Sequence, residues 1–218
     1  MLPTWLLIVS GLAMVGLATF ALTLAEWRAL LAVPIRQHVL FGSTLALLGI
    51  WLLSVPLGEG LWLHLSLFPA LTLVVGARLA GISGLAVVIP HTLILGESLL
   101  AVPTAWLISV AVPVAVTRLL VHLLRRTDIR NLFLFMLGAG FAGSLLSVLI
   151  AAVAVLAILW LAGASAEISG ALQYWALIFP ICFQEGFING LIVTALTVFW
   201  PGIVKTFDER FYLDEEDD

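Results

Sequence analysis

The feature that most constrains this chain is its shortage of charged residues over almost its whole length. Apolar residues make up 63% of the 218 residues and charged residues 10%, whereas a typical soluble domain has about 25% charged residues. Through residue 200 there are only thirteen charged side chains, seven basic and six acidic. Because so few charges cannot cover the surface of a water-soluble globule, the sequence predicts an integral membrane protein.

Seven apolar stretches approach the length of about 20 residues that a helix needs to cross the hydrocarbon core of a bilayer. They lie at about residues 4–24, 39–56, 61–75, 81–95, 103–124, 131–162 and 171–201. The third and fourth are short for spans, and the alternative is that they pack among their neighbours or are partly re-entrant. The alternation with a period of two that is typical of outer-membrane barrels is absent. The predicted fold is therefore all-α, a polytopic transmembrane bundle of about seven helices.

The sixth stretch, residues 131–162, is long enough for either one tilted helix or two spans. Two spans would move Lys205 and Arg210 away from the side that carries the other basic residues, so we predict one long helix. The domain organisation follows from the same reasoning. We predict a single transmembrane domain over residues 1–213 and an acidic tail at 214–218, which we expect to extend into solvent.

Three glycines near the start of the sixth stretch, Gly138, Gly140 and Gly143, indicate close packing against a neighbouring helix. Small residues at a helix interface let two backbones approach each other in a membrane. The alternative is that these glycines are simply tolerated, since glycine is frequent in transmembrane helices.

The basic residues predict the orientation of the bundle. With seven helices, every Lys and Arg lies on or nearest to one side of the membrane: Arg28, Arg36, Arg78, Arg118, Arg125, Arg126, Arg130, Lys205 and Arg210. The connections on the opposite side carry only acidic charges, at Glu59, Glu97 and Glu167. Short cytoplasmic loops are enriched in Lys and Arg. We therefore predict a multi-pass protein of the inner (plasma) membrane with its N-terminus outside and its C-terminus in the cytoplasm.

Several function classes lack the residues that they require. A nucleic-acid-binding protein needs a basic face, and none remains here. The sequence contains no HExxH zinc-protease motif, no GxSxG elbow and no P-loop, which are signatures of hydrolases and nucleotide-binding proteins. We therefore predict a protein that is not an enzyme, has no intrinsic cofactor and has no nucleotide site of its own. An intramembrane hydrolase is the least favoured alternative.

Two histidines are candidate metal ligands. His64 is predicted near the start of the third helix and His91 near the end of the fourth, so both lie near the outer face on adjacent antiparallel helices. Neutral imidazole nitrogens suit nickel, copper and zinc. The alternative is that each ring hydrogen-bonds a backbone carbonyl or reaches the lipid headgroups, and this is the more common outcome for an isolated pair. If the pair does bind a metal, Glu97 is a further candidate ligand.

Glu185 and Asn189 are the most informative polar residues. Glu185 lies midway along the seventh predicted helix, close to the centre of the bilayer, and Asn189 follows one turn later on the same face. An ionisable side chain at that depth is costly and marks a substrate or proton pathway by default. The alternative is that a neutral Glu185 and Asn189 hold neighbouring helices together by hydrogen bonds.

The C-terminal part of the chain resembles a known family. Residues 179–190 read Phe-Pro-Ile-Cys-Phe-Gln-Glu-Gly-Phe-Ile-Asn-Gly, and residues 206–213 read Thr-Phe-Asp-Glu-Arg-Phe-Tyr-Leu. These segments are similar to the C-terminal signature of a subgroup of predicted bacterial membrane proteins. The subgroup is classed with energy-coupling factor (ECF) ABC transporter permeases, the CbiM/NikM-like substrate-binding components for cobalt and nickel. The resemblance covers roughly residues 38–213.

Two further segments agree with this resemblance. The segment around His64 looks like the histidine-bearing third helix of the family, and residues 91–97 lie where the metal permeases commonly have Gln-Ala-Leu-Leu-Phe-Gly-Asp. In the family a metal is bound by the terminal amine, a histidine directly after the initiator Met, and a histidine that matches His64. Because this chain begins Met1-Leu2-Pro3, the resemblance carries over His64 and not the second-position histidine.

The resemblance implies a substrate-binding permease component of a cobalt- or nickel-type metal uptake system. The substrate would be a divalent transition metal, and the partners would be the lipid bilayer, a transmembrane coupling subunit and a cytoplasmic ATPase. The alternative is a non-transporting membrane assembly or sensor protein that keeps the fold after losing the N-terminal part of the metal site.

Overall fold

A computed structural model describes residues 3–58, 61–127 and 129–213. The helices are α1 (Thr4–Leu24), α2 (Trp27–Ala32), α3 (Pro34–Trp51), α4 (Phe68–Val75), α5 (Ala77–Ile94), α6 (Leu99–Arg126), α7 (Leu134–Leu161), α8 (Ser165–Gln173), α9 (Trp175–Phe199) and α10 (Glu209–Leu213). Two antiparallel strands, β1 (Val55–Gly58) and β2 (Leu61–Leu63), form a hairpin between α3 and α4. The predicted acidic tail at 214–218 lies outside the described residues, as does Glu59.

Within the described residues, five helices are long and apolar enough to cross a membrane, namely α1, α5, α6, α7 and α9. They confirm the prediction of an all-α polytopic membrane protein, with five such helices where about seven were predicted. The structure adds the short hairpin and the short helices α2, α8 and α10. The bounds of α1 agree with the predicted first span, and the sixth stretch forms one long helix, α7, as predicted. Helix α3 also has eighteen residues, but it begins Pro-Ile-Arg-Gln-His. Because its first turns are polar, it is not among these five apolar helices.

The prediction of a third membrane-spanning helix at residues 61–75 is wrong. This segment consists of β2, an extended link over residues 64–67, and the eight-residue helix α4, which rises only about 12 Å. Pro69 lies in the first turn of α4, and because proline has no N–H it cannot donate the hydrogen bond that would continue the helix backwards. His64 therefore lies in the link and not in the first turn of a helix. The re-entrant alternative describes the segment better.

Helix α4 is buried along its whole length, since all eight of its residues are buried. A helix end inside a bundle needs partners for the backbone groups that its own turns leave unpaired. At the C-terminal end, the N–H groups of Lys205 and Thr206 donate to the carbonyls of Val74 (2.9 Å) and Leu73 (3.1 Å). The Thr206 hydroxyl also donates to Leu73, at 2.7 Å. The segment after α9 thus caps the end of α4.

Helices α7 and α9 cross at glycines. A methyl group added at Gly140 would lie 3.4 Å from the Cα of Gly190, so the two backbones are in close contact. At Gly186 an added methyl group would lie 2.9 Å from the carbonyl oxygen of Phe141. The predicted packing role of the α7 glycines is confirmed at Gly140. The matching glycines of α9, four residues apart, were missed, although Gly-x-x-x-Gly spacing in an apolar helix is a known packing signal.

The contacts of the charged residues define one end of the bundle. Lys205 Nζ forms an ion pair with Glu26 at 3.0 Å, and both side chains are partly exposed. Arg78 donates to the carbonyl of Leu24 at 2.7 Å. The hydrogen bond and charge of Lys205 lower the pKa of the Glu26 carboxyl below its usual value. The first turn of α5 thus lies at the same end as the C-terminal segment, as the predicted arrangement of basic residues requires.

The hairpin lies at the other end of α5. Trp62 of β2 donates its indole N–H to Glu97 at 3.2 Å, just beyond the C-terminus of α5. Ser54 Oγ, at the start of the hairpin, lies 3.4 Å from His91 Nε2 in the last turn of α5. The predicted histidine site is therefore at the end of the bundle opposite to the Glu26–Lys205 pair.

Candidate metal centre

The two candidate histidines lie together. The ring centroids of His64 and His91 are 5.8 Å apart, with an angle of 71° between the ring planes. Two imidazoles that bind one metal through bonds of about 2.0 Å have centroids roughly 4.5–6.5 Å apart. The link before α4 and the last turn of α5 thus hold the rings at a separation that one metal ion could bridge.

Trp51, at the end of α3, positions both rings. Its indole lies 3.7 Å from the His64 ring and 5.4 Å from the His91 ring, measured between centroids. Trp51 is 2% exposed, and its own N–H donates to the carbonyl of Ser66 at 3.4 Å. Sequence reasoning missed this residue, because its contact with the histidines depends on how the link folds back against the end of α3.

The two histidines differ in their hydrogen bonds. The Nδ1 atom of His64 is buried and forms no hydrogen bond with any residue that the structure describes, whereas His91 Nε2 has the Ser54 hydroxyl nearby. A buried polar atom without a partner destabilises the fold and calls for an explanation. A metal ion at Nδ1 would satisfy this atom, since imidazole nitrogen is a ligand for nickel, copper and zinc.

Glu97 lies against the hairpin through its hydrogen bond with Trp62. Trp62 is two residues before His64, so the carboxylate lies near the link that carries that histidine. Over residues 3–58, 61–127 and 129–213, no three His, Cys, Asp or Glu side chains lie together as a set of metal ligands. The candidate ligands that the described structure brings together are therefore the two histidines.

Glu185 binds the backbone of the link that carries His64. Its carboxylate accepts the N–H of Ser66 at Oε2 (2.9 Å) and the N–H of Leu67 at Oε1 (2.7 Å). Leu67 has a φ of 51°, in the left-handed region that is strained for a side chain of this size. The two hydrogen bonds to Glu185 stabilise this turn, because successive N–H groups in such a turn form a cradle for an anion.

Asn189 continues the same contact one turn further along α9. Its Oδ1 accepts the N–H of Ala70 in the first turn of α4, at 2.8 Å, and its Nδ2 donates to Glu185 Oε1, also at 2.8 Å. Both residues are buried, Asn189 completely. Together they accept one N–H in the first turn of α4 and two in the link, and so fix the position of the link. Glu185 and Asn189 share one face of α9, as predicted, and that face binds backbone N–H groups of the link and of α4.

The two halves of the C-terminal signature therefore bind the two ends of one short helix. Glu185 and Asn189 bind the N-terminal end of α4 and the preceding link, while Lys205 and Thr206 bind its C-terminal end. Arg125 in turn donates to the carbonyl of Thr206 at 2.9 Å. Inside a membrane every backbone polar group needs a partner from the protein itself, and these side chains provide those partners at both ends of α4.

A freed carbonyl in α6 also reaches the link. Pro113 has no N–H, so it cannot donate to the carbonyl of Ser109 four residues earlier, as an α-helix requires. The helix forms wider π-type turns over Leu107–Ala111, and the Ser109 carbonyl accepts the hydroxyl of Ser66 at 3.4 Å. Such irregular turns are frequent at functional sites. Three elements, α3, α6 and α9, thus bind the link that positions His64.

The fold and this site define a class: a polytopic helical membrane protein in which a buried, discontinuous segment presents a histidine pair at one end of the bundle. The chain belongs to the CbiM family, described as the cobalt uptake substrate-specific transmembrane region, which matches residues 1–203. This family is a membrane component of metal uptake and not an enzyme family. Comparisons with curated proteins and with solved structures gave no match.

Proposed function

We propose that this protein is the substrate-binding component of a transition-metal uptake system and that His64 and His91 bind the metal ion. The observation that carries the proposal is the buried Nδ1 of His64, which no described residue hydrogen-bonds, within a pair of imidazoles at bridging distance. Membership of a cobalt uptake family supports a divalent transition metal as the substrate class. Glu97, next to the same link, is proposed as an additional ligand.

Replacing His64 with alanine is expected to abolish high-affinity binding of Co²⁺ or Ni²⁺, because the imidazole nitrogen that we assign to the metal is removed. Metal content of the purified protein, measured by elemental analysis after loading and desalting, checks this result. His91→Ala is expected to lower metal content as well. His38→Ala and His122→Ala are matched controls, since both histidines are exposed and lie outside the pair.

Two outcomes of this experiment would contradict the proposal. Equal metal content in wild type and His64→Ala would remove His64 from the site. No metal in the wild-type protein under any loading condition would favour the alternative function, a membrane assembly or sensor protein that uses this fold without transport.

We further propose that the histidine end of the bundle faces outward and that the end with Glu26 and Lys205 faces the cytoplasm. The enrichment of cytoplasmic loops in Lys and Arg supports this orientation. In the inner membrane, it would present the metal site to the external medium. A transmembrane coupling subunit and an ATPase would then bind at the cytoplasmic side.

A reporter enzyme that works only outside the cytoplasm is expected to stay inactive when it is fused after Leu213, because the C-terminus would be cytoplasmic. The same reporter inserted in the connection between α7 and α8, at Gly163, is expected to be active. Gly163 is a suitable point, since it lies between two helices and an added methyl group there would meet no atom within 4 Å. The reverse pattern of activities would invert the orientation.

Glu185 and Asn189 are proposed as part of the substrate pathway as well as of the link. Glu185, Ser66 and His64 line the polar end of a common cavity, so a cation released from the histidines could reach the carboxylate along polar side chains without contacting the apolar wall. Buried ionisable residues in membrane proteins commonly mark such pathways. Transport measured on a Glu185 variant that folds normally separates this function from the structural one.

A further inference from the structure

A cavity of about 240 Å³ extends from the candidate metal centre between α6, α7 and α9. Its lining includes the buried residues Ser66 and Glu185 together with His64. It also includes Leu172 and Tyr174, which are 50% and 36% exposed. The cavity therefore runs from the surface of the bundle at α8 to the carboxylate of Glu185, which is 2% exposed.

Most of the wall consists of small and branched apolar side chains. They include Val148, Ala151, Ala152 and Val155 of α7, and Ile178 and Ile181 of α9. An engineered apolar cavity of about 150 Å³ binds benzene, so the present cavity has room for an organic molecule of roughly ten non-hydrogen atoms. A single metal ion would fill only a small part of it.

The apolar wall is a poor environment for a hydrated divalent cation. An ion that enters loses water, and carbon atoms cannot replace the lost ligands, so burying the charge there is strongly unfavourable. An organic chelator changes this balance, because it supplies donor atoms to the metal and presents its own carbon atoms to the wall. A chelator with one carboxylate also neutralises one of the two charges of the metal.

The polar end of the cavity suits the metal of such a complex. His64 offers an imidazole for a coordination position that the chelator leaves open. Glu185 offers a negative charge to the remaining positive charge of the complex. Among the described residues its Oε2 atom accepts one hydrogen bond, from Ser66, and a carboxylate oxygen can accept more than one.

We propose that the cavity admits the metal as a complex with a small organic chelator that carries a carboxylate and an aromatic or aliphatic body. The complex enters with its body against α7 and α9 and its metal toward His64. This inference rests on the proposed function, since it names the form in which the substrate of that site is bound.

The test uses the purified full chain in lipid nanodiscs and a defined probe, the one-to-one complex of Ni²⁺ with pyridine-2-carboxylate. Radiolabelled chelator and nickel are both measured after gel filtration. We expect the protein to retain chelator and nickel in equal amounts, and to bind this complex at least tenfold more tightly than Ni²⁺ alone.

Variants that fill the cavity distinguish it from the histidines. Ala152→Phe is expected to reduce retention of the chelator at least tenfold while binding of Ni²⁺ alone stays unchanged, since His64 and His91 are untouched. Ala151→Phe, on the same wall, is a second variant with the same expected result should the first fail to fold. Ala157→Phe is the matched control, because Ala157 is exposed on the same helix and does not line the cavity.

The outcomes separate the two proposals. If Ni²⁺ alone binds through His64 but chelator is never retained, or if cavity-filling variants retain it like wild type, the inference about the cavity is overturned and the metal site stands. If neither Ni²⁺ nor its complex binds, the proposed metal-binding function fails, and the inference fails with it.

Discussion

Replacing Glu185 with glutamine is expected to lower the free energy of unfolding by about 1–3 kcal/mol, the cost of leaving a buried hydrogen-bonding group without a partner. The carboxylate accepts one backbone N–H at each oxygen, from Ser66 and from Leu67. Glutamine has one carbonyl oxygen, and its amide nitrogen would present a donor to the second N–H. Thermal unfolding of the purified protein, followed by circular dichroism, measures this loss.

Glu97→Gln is the matched control for this substitution. In the part of the chain that the structure describes, Glu97 accepts one hydrogen bond, from Trp62, and the one carbonyl oxygen of glutamine can accept it equally well. We expect the stability of this variant to stay within about 0.5 kcal/mol of wild type, as for most substitutions that leave no group unpaired. A Glu185→Gln variant as stable as Glu97→Gln would contradict the assignment of Glu185 to the link.

Glu185→Gln also tests the substrate pathway proposed for Glu185. A protein that unfolds like wild type and binds metal at His64 but transports none would assign an ionisable function to Glu185. A protein that is destabilised and also loses metal would show that Glu185 acts on the metal through the position of His64. Metal content and transport are therefore measured on the same preparations as stability.

Replacing Gly186 with alanine is expected to destabilise the bundle by about 1–3 kcal/mol, the usual cost of overpacking a close-packed interface. The added methyl group would lie 2.9 Å from the carbonyl oxygen of Phe141 and 3.2 Å from Cβ of Leu145. These atoms belong to the backbone and the base of a side chain, so only a movement of α7 away from α9 could relieve the contact. The midpoint of thermal unfolding measures the effect.

Gly42→Ala provides the control, because Gly42 is in helix α3 and an added methyl group there meets no atom of the described residues within 4 Å. Alanine is favoured over glycine in a helix interior by about 0.5–1 kcal/mol. We therefore expect Gly42→Ala to be neutral or stabilising. Equal midpoints of thermal unfolding for Gly186→Ala and Gly42→Ala would mean that α7 and α9 do not approach as closely as the Gly140–Gly190 contact indicates.

Several features of the fold could be predicted because they depend on local sequence. The bounds of α1 and the single long α7 follow from the length and apolar character of their segments. The shared face of Glu185 and Asn189 follows from helical spacing alone. The proximity of His64 and His91 also followed, from two adjacent antiparallel segments and a short connection between them.

Other features could not be predicted, because they depend on contacts between segments far apart in the chain. Residues 61–75 are apolar enough for a helix, but only the tertiary structure shows a hairpin strand, a link and a short helix there. That arrangement needs partners for backbone groups that a continuous helix would satisfy itself. The partners come from more than 100 residues later, at Glu185, Asn189 and Lys205.

The sequence by itself determined the environment of this protein and the set of residues that are costly to bury, since composition and helical spacing are local properties. Only the tertiary structure decided what those residues bind. A mid-membrane carboxylate is compatible with a cation, a proton or a donor from another segment, and the choice depends on which groups come within about 3 Å. In this protein two backbone N–H groups of the link come within that distance of Glu185, because the strained turn at Leu67 points them at its carboxylate.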